Sequence, residues 1–312
     1  MRFRKVIRKL ISLEPVRREG GTRKRQQLWS IGIYLGTSPI DFFPPDNVDN
    51  PVLTQQDVSD VPALFVADPF MLKVNQTWCM FFEVMNRKTS KGEIGLAISE
   101  NGANWRYQKV VLAEPFHLSY PCVFQVGDDY FMVPETFEAN EVRLYKAVEF
   151  PTEWCFVRTL LYGREYVDPS IFFFEDKCWL FVGLGAPPFR ADILRLYYAD
   201  ELMAPWIEHP RNPIVEGNVR MARPAGRMVV LDRRVVRYAQ DCYPTYGSQV
   251  RAFEITELSV GDYREREVDQ SPVLAGSQSG WNGSGMHHID PHRMVHEDKW
   301  IACVDGWMRV WV

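Results

Sequence analysis

No stretch of this 312-residue chain approaches the ~18 consecutive apolar residues that a membrane-spanning helix requires. No secretory signal peptide is expected either, because Arg8 and Lys9 interrupt the one apolar stretch near the start and no small-residue cleavage site follows. Cys-x-x-Cys pairs are absent. The six cysteines, Cys79, Cys122, Cys155, Cys178, Cys242 and Cys303, stand far apart and read as reduced core residues of a cytoplasmic protein, since a chain this long builds a core without disulfide staples. The body also lacks a basic excess. Residues 1 to 27 hold ten Lys/Arg against two Glu, which leaves residues 28 to 312 with 26 basic and 38 acidic side chains. Phosphate neutralisation needs a basic face, so nucleic acid is excluded as a general partner. The basic segment 1–27 is read as a solvated, partly disordered or packing extension, with contact to anionic lipid or RNA as the alternative, and the folded body is expected to begin at residue 28.

What the chain does have is a repeat. Five units open with Asp68-Pro69, Tyr120-Pro121, Asp168-Pro169, Arg223-Pro224 and Asp290-Pro291, their prolines 52, 48, 55 and 67 residues apart. After each proline comes an apolar run, a polar turn and a second apolar run, the signature of a β-hairpin. The turns are Asn75-Gln76, Gly127-Asp128, Glu175-Asp176, Asp232-Arg233 and Glu297-Asp298. Third strands are expected at Ile94–Ser99, Val142–Ala147, Ile193–Ala199 and Val250–Ile255, and fourth strands near Trp105, Trp154, Trp206 and Tyr263. Four strands per unit at a period near 50 predict an all-β, five-bladed β-propeller. A β-sandwich would leave the fivefold register unexplained. The last unit ends after its hairpin, and Ile31–Gly36 with Asp41–Phe43 supply its missing strands from the other end of the chain. Such closure removes the exposed edges that invite aggregation.

In a propeller the first strand of each blade lines the axis, so Asp68, Tyr120, Asp168, Arg223 and Asp290 are expected to form a ring. The following proline should hold each of them in an extended backbone. Fourteen residues past four of the prolines stand Glu83, Glu135, Gly183 and Asp305, with Gln240 as the equivalent in the longer fourth hairpin. A hairpin returns to the end it left, so these form a second row. The pocket therefore gathers Asp68, Asp168, Asp290, Glu83, Glu135 and Asp305 with Arg223, Arg227, His287 and His288. Clustered carboxylates raise one another's pKa, a cost that folds seldom carry without a ligand or a role. Arg223 reads either as a salt-bridge partner for the acids or as a clamp for an anionic substituent. The run from His287 to His292 invites a metal reading. Adjacent His287 and His288 would point to opposite faces of a strand, however, so neither a metal nor another cofactor is expected. Aromatic content of 13%, with 10 Trp and 13 Tyr, suits strands and also the C–H faces of sugars.

Trp29–Phe43 (WSIGIYLGTSPIDFF), Asp57–Met71 (DVSDVPALFVADPFM), FFEVMN from Phe81, FHLSYPCVF from Phe116 and VDPSIF from Val167 together resemble the N-terminal domain of plant glucosamine inositolphosphorylceramide transferases and their bacterial homologues. More distantly the layout is similar to five-bladed glycosidases of the arabinanase, xylosidase, invertase and levansucrase type. The resemblance to arabinanase-like enzymes implies a base at Asp68 and an orienting carboxylate at Asp168. Blade four departs, because Ala222-Arg223-Pro224 has no carboxylate where their acid stands, and an acid would have to come from Glu135 or Glu83. Two functions follow. One is a glycosidase or transglycosidase in which Asp68, Glu135 and Asp168 are catalytic and Glu83, Tyr120, Arg223, Arg227, His287, His288, Asp290 and Asp305 bind substrate. The other is a module that recognises a glycan or glycolipid headgroup for a partner glycosyltransferase. A protein-interaction scaffold is the third class, and an acidic axis argues against it.

Overall fold

The computed structural model describes residues 25–185, 192–231, 233–294 and 298–311. The basic stretch up to residue 24, and the turn residues Asp232 and Glu297, lie outside the described residues. The chain runs from β1 (Arg25–Ser38) and β2 (Asp41–Phe43) into blade one, β3 (Ala63–Val74), β4 (Thr77–Asn86), β5 (Lys91–Ser99) and β6 (Arg106–Leu112). Blade two is β7 (Ser119–Val126), β8 (Asp129–Glu135), β9 (Glu141–Glu149) and β10 (Glu153–Tyr162). Blade three holds β11 (Tyr166–Phe174), β12 (Lys177–Leu184) and β13 (Ile193–Ala199), with an outer strand broken into β14 (Ile207–Glu208) and β15 (Val215–Glu216). In blade four the inner strand is also broken, into β16 (Arg223–Pro224) and β17 (Val229–Leu231), followed by β18 (Arg234–Asp241), β19 (Gln249–Leu258), β20 (Tyr263–Glu267) and β21 (Leu274–Ala275). Blade five joins β22 (Ile289–Met294) and β23 (Lys299–Trp311) to β1 and β2.

This is an all-β propeller of five blades. The antiparallel register from Arg25↔Trp311 to Gly36↔Trp300 closes it, and the sheet already takes in Arg25–Gln27. Inner strands touch in succession around the axis, β3 with β7, β7 with β11, β11 with β16, and β22 with β3. Blades four and five meet where Gly226 bridges Ile289. A side chain at Gly226 (φ 128) would strike the Ile289 carbonyl, so the approach requires glycine.

Both faces of each blade are apolar because both are covered by neighbouring blades. Phe81, Leu96, Val133 and Leu144 belong to a core between blades one, two and three. Ile31, Phe82, Val84 and Cys303 pack blade five on blade one, while Tyr238, Val250, Ile289 and Val304 pack it on blade four. The hairpin turns use left-handed residues at Asn75, Gly127, Glu175, Asp176, Arg233 and Asp298, as tight two-residue connections demand. Four cysteines are buried, whereas Cys155 is exposed on outer strand β10 and Cys242 is half-buried, so these two depart from the expected core role. Among the described residues no helix is long and apolar enough to cross a membrane.

Candidate functional site: a carboxylate pocket above a closed axis

The residues that open blades one, two and three do not have the extended backbone expected of them. Asp68, Tyr120 and Asp168 have φ of 52°, 47° and 49°, in the left-handed region. Each sits in a β-bulge: the register slips between Ala67 and Phe70, Ser119 and Cys122, and Val167 and Ser170. An extra residue in the strand overrides the preference imposed by the proline and re-aims the side chain that precedes it. Such conformations cost on the order of 1–3 kcal/mol each and persist only when the surroundings hold them.

Carboxylates of the second row do part of the holding. Glu135, opposite Ser119 in blade two, accepts the Asp168 N–H at 2.9 Å. Asp305, from blade five, accepts the Asp68 N–H at 3.0 Å. An acid of one blade thus fixes the bulged aspartate of the next. Gly183 and Gln240 also take their expected second-row places, opposite Val167 and Arg223.

Around these bulges the pocket collects Asp68, Glu83, Glu135, Asp168, Asp305, Arg223, His287 and His288. Arg223 pairs with Asp168 through Nε and Nη2, and its Nη2 lies 3.8 Å from Glu135 Oε2. Gln240 Nε2 donates to Asp168 at 3.0 Å. His287 Nδ1 is 2.7 Å from Asp305 Oδ1, and its Nε2 is 3.7 Å from Asp68 Oδ1. The side chains of Arg223, Asp68 and Glu83 keep 19%, 10% and 8% of their surface open to solvent, which marks them as the accessible members.

The carboxyls differ in proton affinity. Burial, reinforced by Asp305 and Asp168 and offset by His287 and Arg223, pushes Asp68 up to about 7. Burial and the surrounding acids hold Glu83 and Glu135 well above the usual carboxylate range. Asp305 goes the other way: burial opposes ionisation, but the charge and hydrogen bond of His287 outweigh it. Burial would lower His287, yet Asp305 leaves it raised. His288 has no such compensation from a hydrogen bond, and burial drives it down to about 4.

Three expected members lie elsewhere or are already engaged. Asp290 does not face Asp68 and Asp168. The inner hairpin of blade five has no bulge, the register of β22 on β23 running unbroken from Ile289↔Val304 to Met294↔Lys299, so Asp290 stays deeper. Its carboxylate takes the Met71 N–H at 2.7 Å, Arg227 Nε at 2.6 Å and His292 Nε2 at 2.8 Å. Met71 is three residues past Asp68 along β3, on the order of 10 Å down the axis. Arg227 also donates to Val123 O at 2.9 Å, so with Asp290 it closes the lower axis instead of lining the pocket. Tyr120 is fully buried, its hydroxyl 2.7 Å from Ser170 Oγ and 3.1 Å from the Gly226 carbonyl it donates to.

Three neighbours were missed in the sequence. His117 Nε2 lies 3.4 Å from Glu83 Oε1, and burial keeps its imidazole neutral by pushing it down to about 4. Trp29 stacks on His287 with centroids 4.1 Å apart, and Tyr246 meets the same ring edge-on at 5.1 Å while covering Arg223. His117 and Tyr246 come from loops just ahead of an inner or third strand, where no repeat signal marks them. Asp68, His287 and Asp305 present ligand-type atoms within 4.8 Å of one another. His287 and His288 do not alternate as strand neighbours would, because both precede β22. Both approach Asp68 Oδ1, His288 Nδ1 at 3.9 Å.

Residues 22–307 match the family model described as glucosamine inositolphosphorylceramide transferase 1, N-terminal. The chain belongs to that family. It is 34% identical over 300 residues to glucosamine inositolphosphorylceramide transferase 1 of Oryza sativa subsp. japonica, covering 89% of this chain and 40% of that protein. The Arabidopsis thaliana protein of the same name is 35% identical over 301 residues, with 89% and 39% covered. The chain thus spans about two fifths of the length of the curated relatives it matches. Among solved structures, the catalytic domain of a Coprinopsis cinerea alpha-L-arabinofuranosidase superposes with a TM-score of 0.58 at 13% identity, covering 86% of this chain and 84% of that one. A Cellvibrio cellulosa alpha-L-arabinanase complexed with arabinohexaose gives a TM-score of 0.54 at 14% identity, with 83% and 96% covered. Likeness at that distance shows a shared propeller fold. Within the family member described here, Arg223 occupies the blade-four opening and neutralises Asp168.

Proposed function

We propose that the pocket binds a glycan or glycolipid headgroup and acts at a glycosidic bond. Asp68 is the base, Glu135 the acid and Asp168, fixed by Arg223 and Gln240, the group that orients sugar hydroxyls. The observation that carries this reading is the presence of two buried carboxyls of raised proton affinity in one enclosure: Asp68, which burial against the pull of His287 and Arg223 brings to about 7, and Glu135, which burial and Asp168 hold well above the usual carboxylate range. Asp68 takes a proton from the attacking hydroxyl, whose oxygen bonds to the anomeric carbon. Glu135 delivers its proton to the departing oxygen as the glycosidic bond breaks. Water as acceptor gives hydrolysis, and a glycolipid alcohol gives transfer. The relatives named for glucosamine inositolphosphorylceramide transfer favour a glycolipid as one participant.

Recognition without catalysis, in the service of a glycosyltransferase, is the second reading. Arg223 favours it, because a guanidinium stands where the related fold would need an acid. The two separate on a panel of 4-nitrophenyl glycosides and glycosyl inositolphosphorylceramides. Catalysis predicts turnover that Asp68→Asn and Glu135→Gln each reduce by about 10²-fold or more. Full turnover in both variants would end the catalytic reading, and binding without turnover by the wild type would establish the second.

A further inference from the structure

His288 is fully buried, and neither ring nitrogen has a hydrogen-bond partner. Each unsatisfied buried polar atom costs on the order of a kcal/mol or more, so native folds rarely keep one without reason. The ring is held in place: Phe70 and Tyr120 meet it edge-on, at centroid distances of 4.7 and 5.2 Å. Tyr120 is in turn tied by its hydroxyl to Ser170 and Gly226. His288 Nδ1 points at Asp68 Oδ1 from 3.9 Å, too far for a direct hydrogen bond. At that separation a single oxygen set off the line between the two atoms lies within bonding reach of both.

We propose that His288 Nδ1 and Asp68 Oδ1 together hold a water molecule at the floor of the pocket, and that this water is the nucleophile of a hydrolytic reaction. The inference rests on the catalytic reading given above. A neutral imidazole with its proton on Nδ1 donates to the water oxygen and leaves a water hydrogen directed at Asp68. The groups around this spot favour that state. Asp305, Asp290 and Asp168 would raise His288 and His287 would lower it, while burial dominates and keeps it neutral. In the reaction the water O–H bond breaks towards Asp68 and the oxygen bonds to the anomeric carbon. Glu135 supplies the proton that leaves with the aglycone, so charge and atoms balance.

Two measurements test this. A high-resolution crystal structure of the wild type should show an ordered water within hydrogen-bond distance of both His288 Nδ1 and Asp68 Oδ1. The variant His288→Phe keeps an aromatic ring against Phe70 and Tyr120 and removes the unpartnered nitrogens. It should unfold at a temperature equal to or above that of the wild type, lose the water, and hydrolyse the 4-nitrophenyl glycosides about 10²-fold more slowly at unchanged KM. A merely structural histidine would not separate stability from kcat in this way. His288→Asn, which keeps a donor in the same place, provides a second variant and should retain more turnover than His288→Phe. Missing water density, or hydrolysis by His288→Phe at the wild-type rate, overturns the inference. If Asp68→Asn abolishes hydrolysis and His288→Phe does not, only this inference falls; if the wild type hydrolyses nothing on the panel, the catalytic reading falls with it.

Discussion

Asp68 and Asp290 come from the same position of the same repeat and line the same axis, yet they live in opposite electrostatic worlds. Asp68 is bulged, left-handed in backbone, partly open to solvent and pushed up to about 7. Asp290 lies in an unbroken ladder, is fully buried, and is held down at about 2 because Arg227, His292 and the Met71 N–H outweigh the burial that would raise it. The lower layer satisfies its charge completely and ties blades one, two, four and five together. The upper layer leaves charge unsatisfied, and that residue of imbalance is what a ligand can use. One inserted residue in the strand decides which layer an aspartate joins.

The sharpest way to break this comparison is to remove the lower cation. Arg227→Met leaves a buried Asp290 carboxylate with His292 and one backbone N–H as partners, and should cost about 3–5 kcal/mol in urea unfolding at pH 7. A loss below about 1 kcal/mol would show that Arg227 is not what secures the lower axis.

Neutralising the upper acid should do the reverse, and pH gives the sign. Asp68 has an ordinary value of 3.8 and about 7 when folded, so the folded state holds its proton more tightly. The resulting penalty is absent below the ordinary value, grows as pH rises between the two, and is complete above the folded one. Asp68→Asn should therefore be more stable than the wild type by about 2 kcal/mol at pH 8, with the advantage fading towards pH 4. Asp290, whose folded value of about 2 lies below the ordinary 3.8, stabilises above that range and loses its contribution as pH falls through it. Urea midpoints across pH that were the same for Asp68→Asn and wild type would mean that the upper layer stores no electrostatic cost.

The repeat made the blades legible, since Ile193–Ala199 and Asp41–Phe43 are strands as written and the closure of blade five follows from where the hairpins run out. The second row was legible too, through a count along each hairpin. Bulges were not, because a register slip depends on the partner strand and leaves no mark in local pattern. Hence the sequence alone groups Asp290 with Asp68 and predicts an extended backbone at Asp68, Tyr120 and Asp168. Trp29, His117 and Tyr246 escaped because they reach the pocket from a closing strand and from loops, outside the repeated positions.

Tyr120 stands where the two layers meet and offers the finest test. Its ring supports His288 from the side of blade two, while its hydroxyl joins Ser170 and Gly226 across blades three and four. Tyr120→Phe keeps the ring and deletes those bonds, so stability should fall by about 1 kcal/mol in urea unfolding. If the hydroxyl serves only the scaffold, the affinity for a bound sugar measured by calorimetry stays within twofold of the wild type. A drop in affinity larger than the drop in stability would mean that the packing beneath the pocket positions its acids, and the two layers would then have to be treated as one coupled unit.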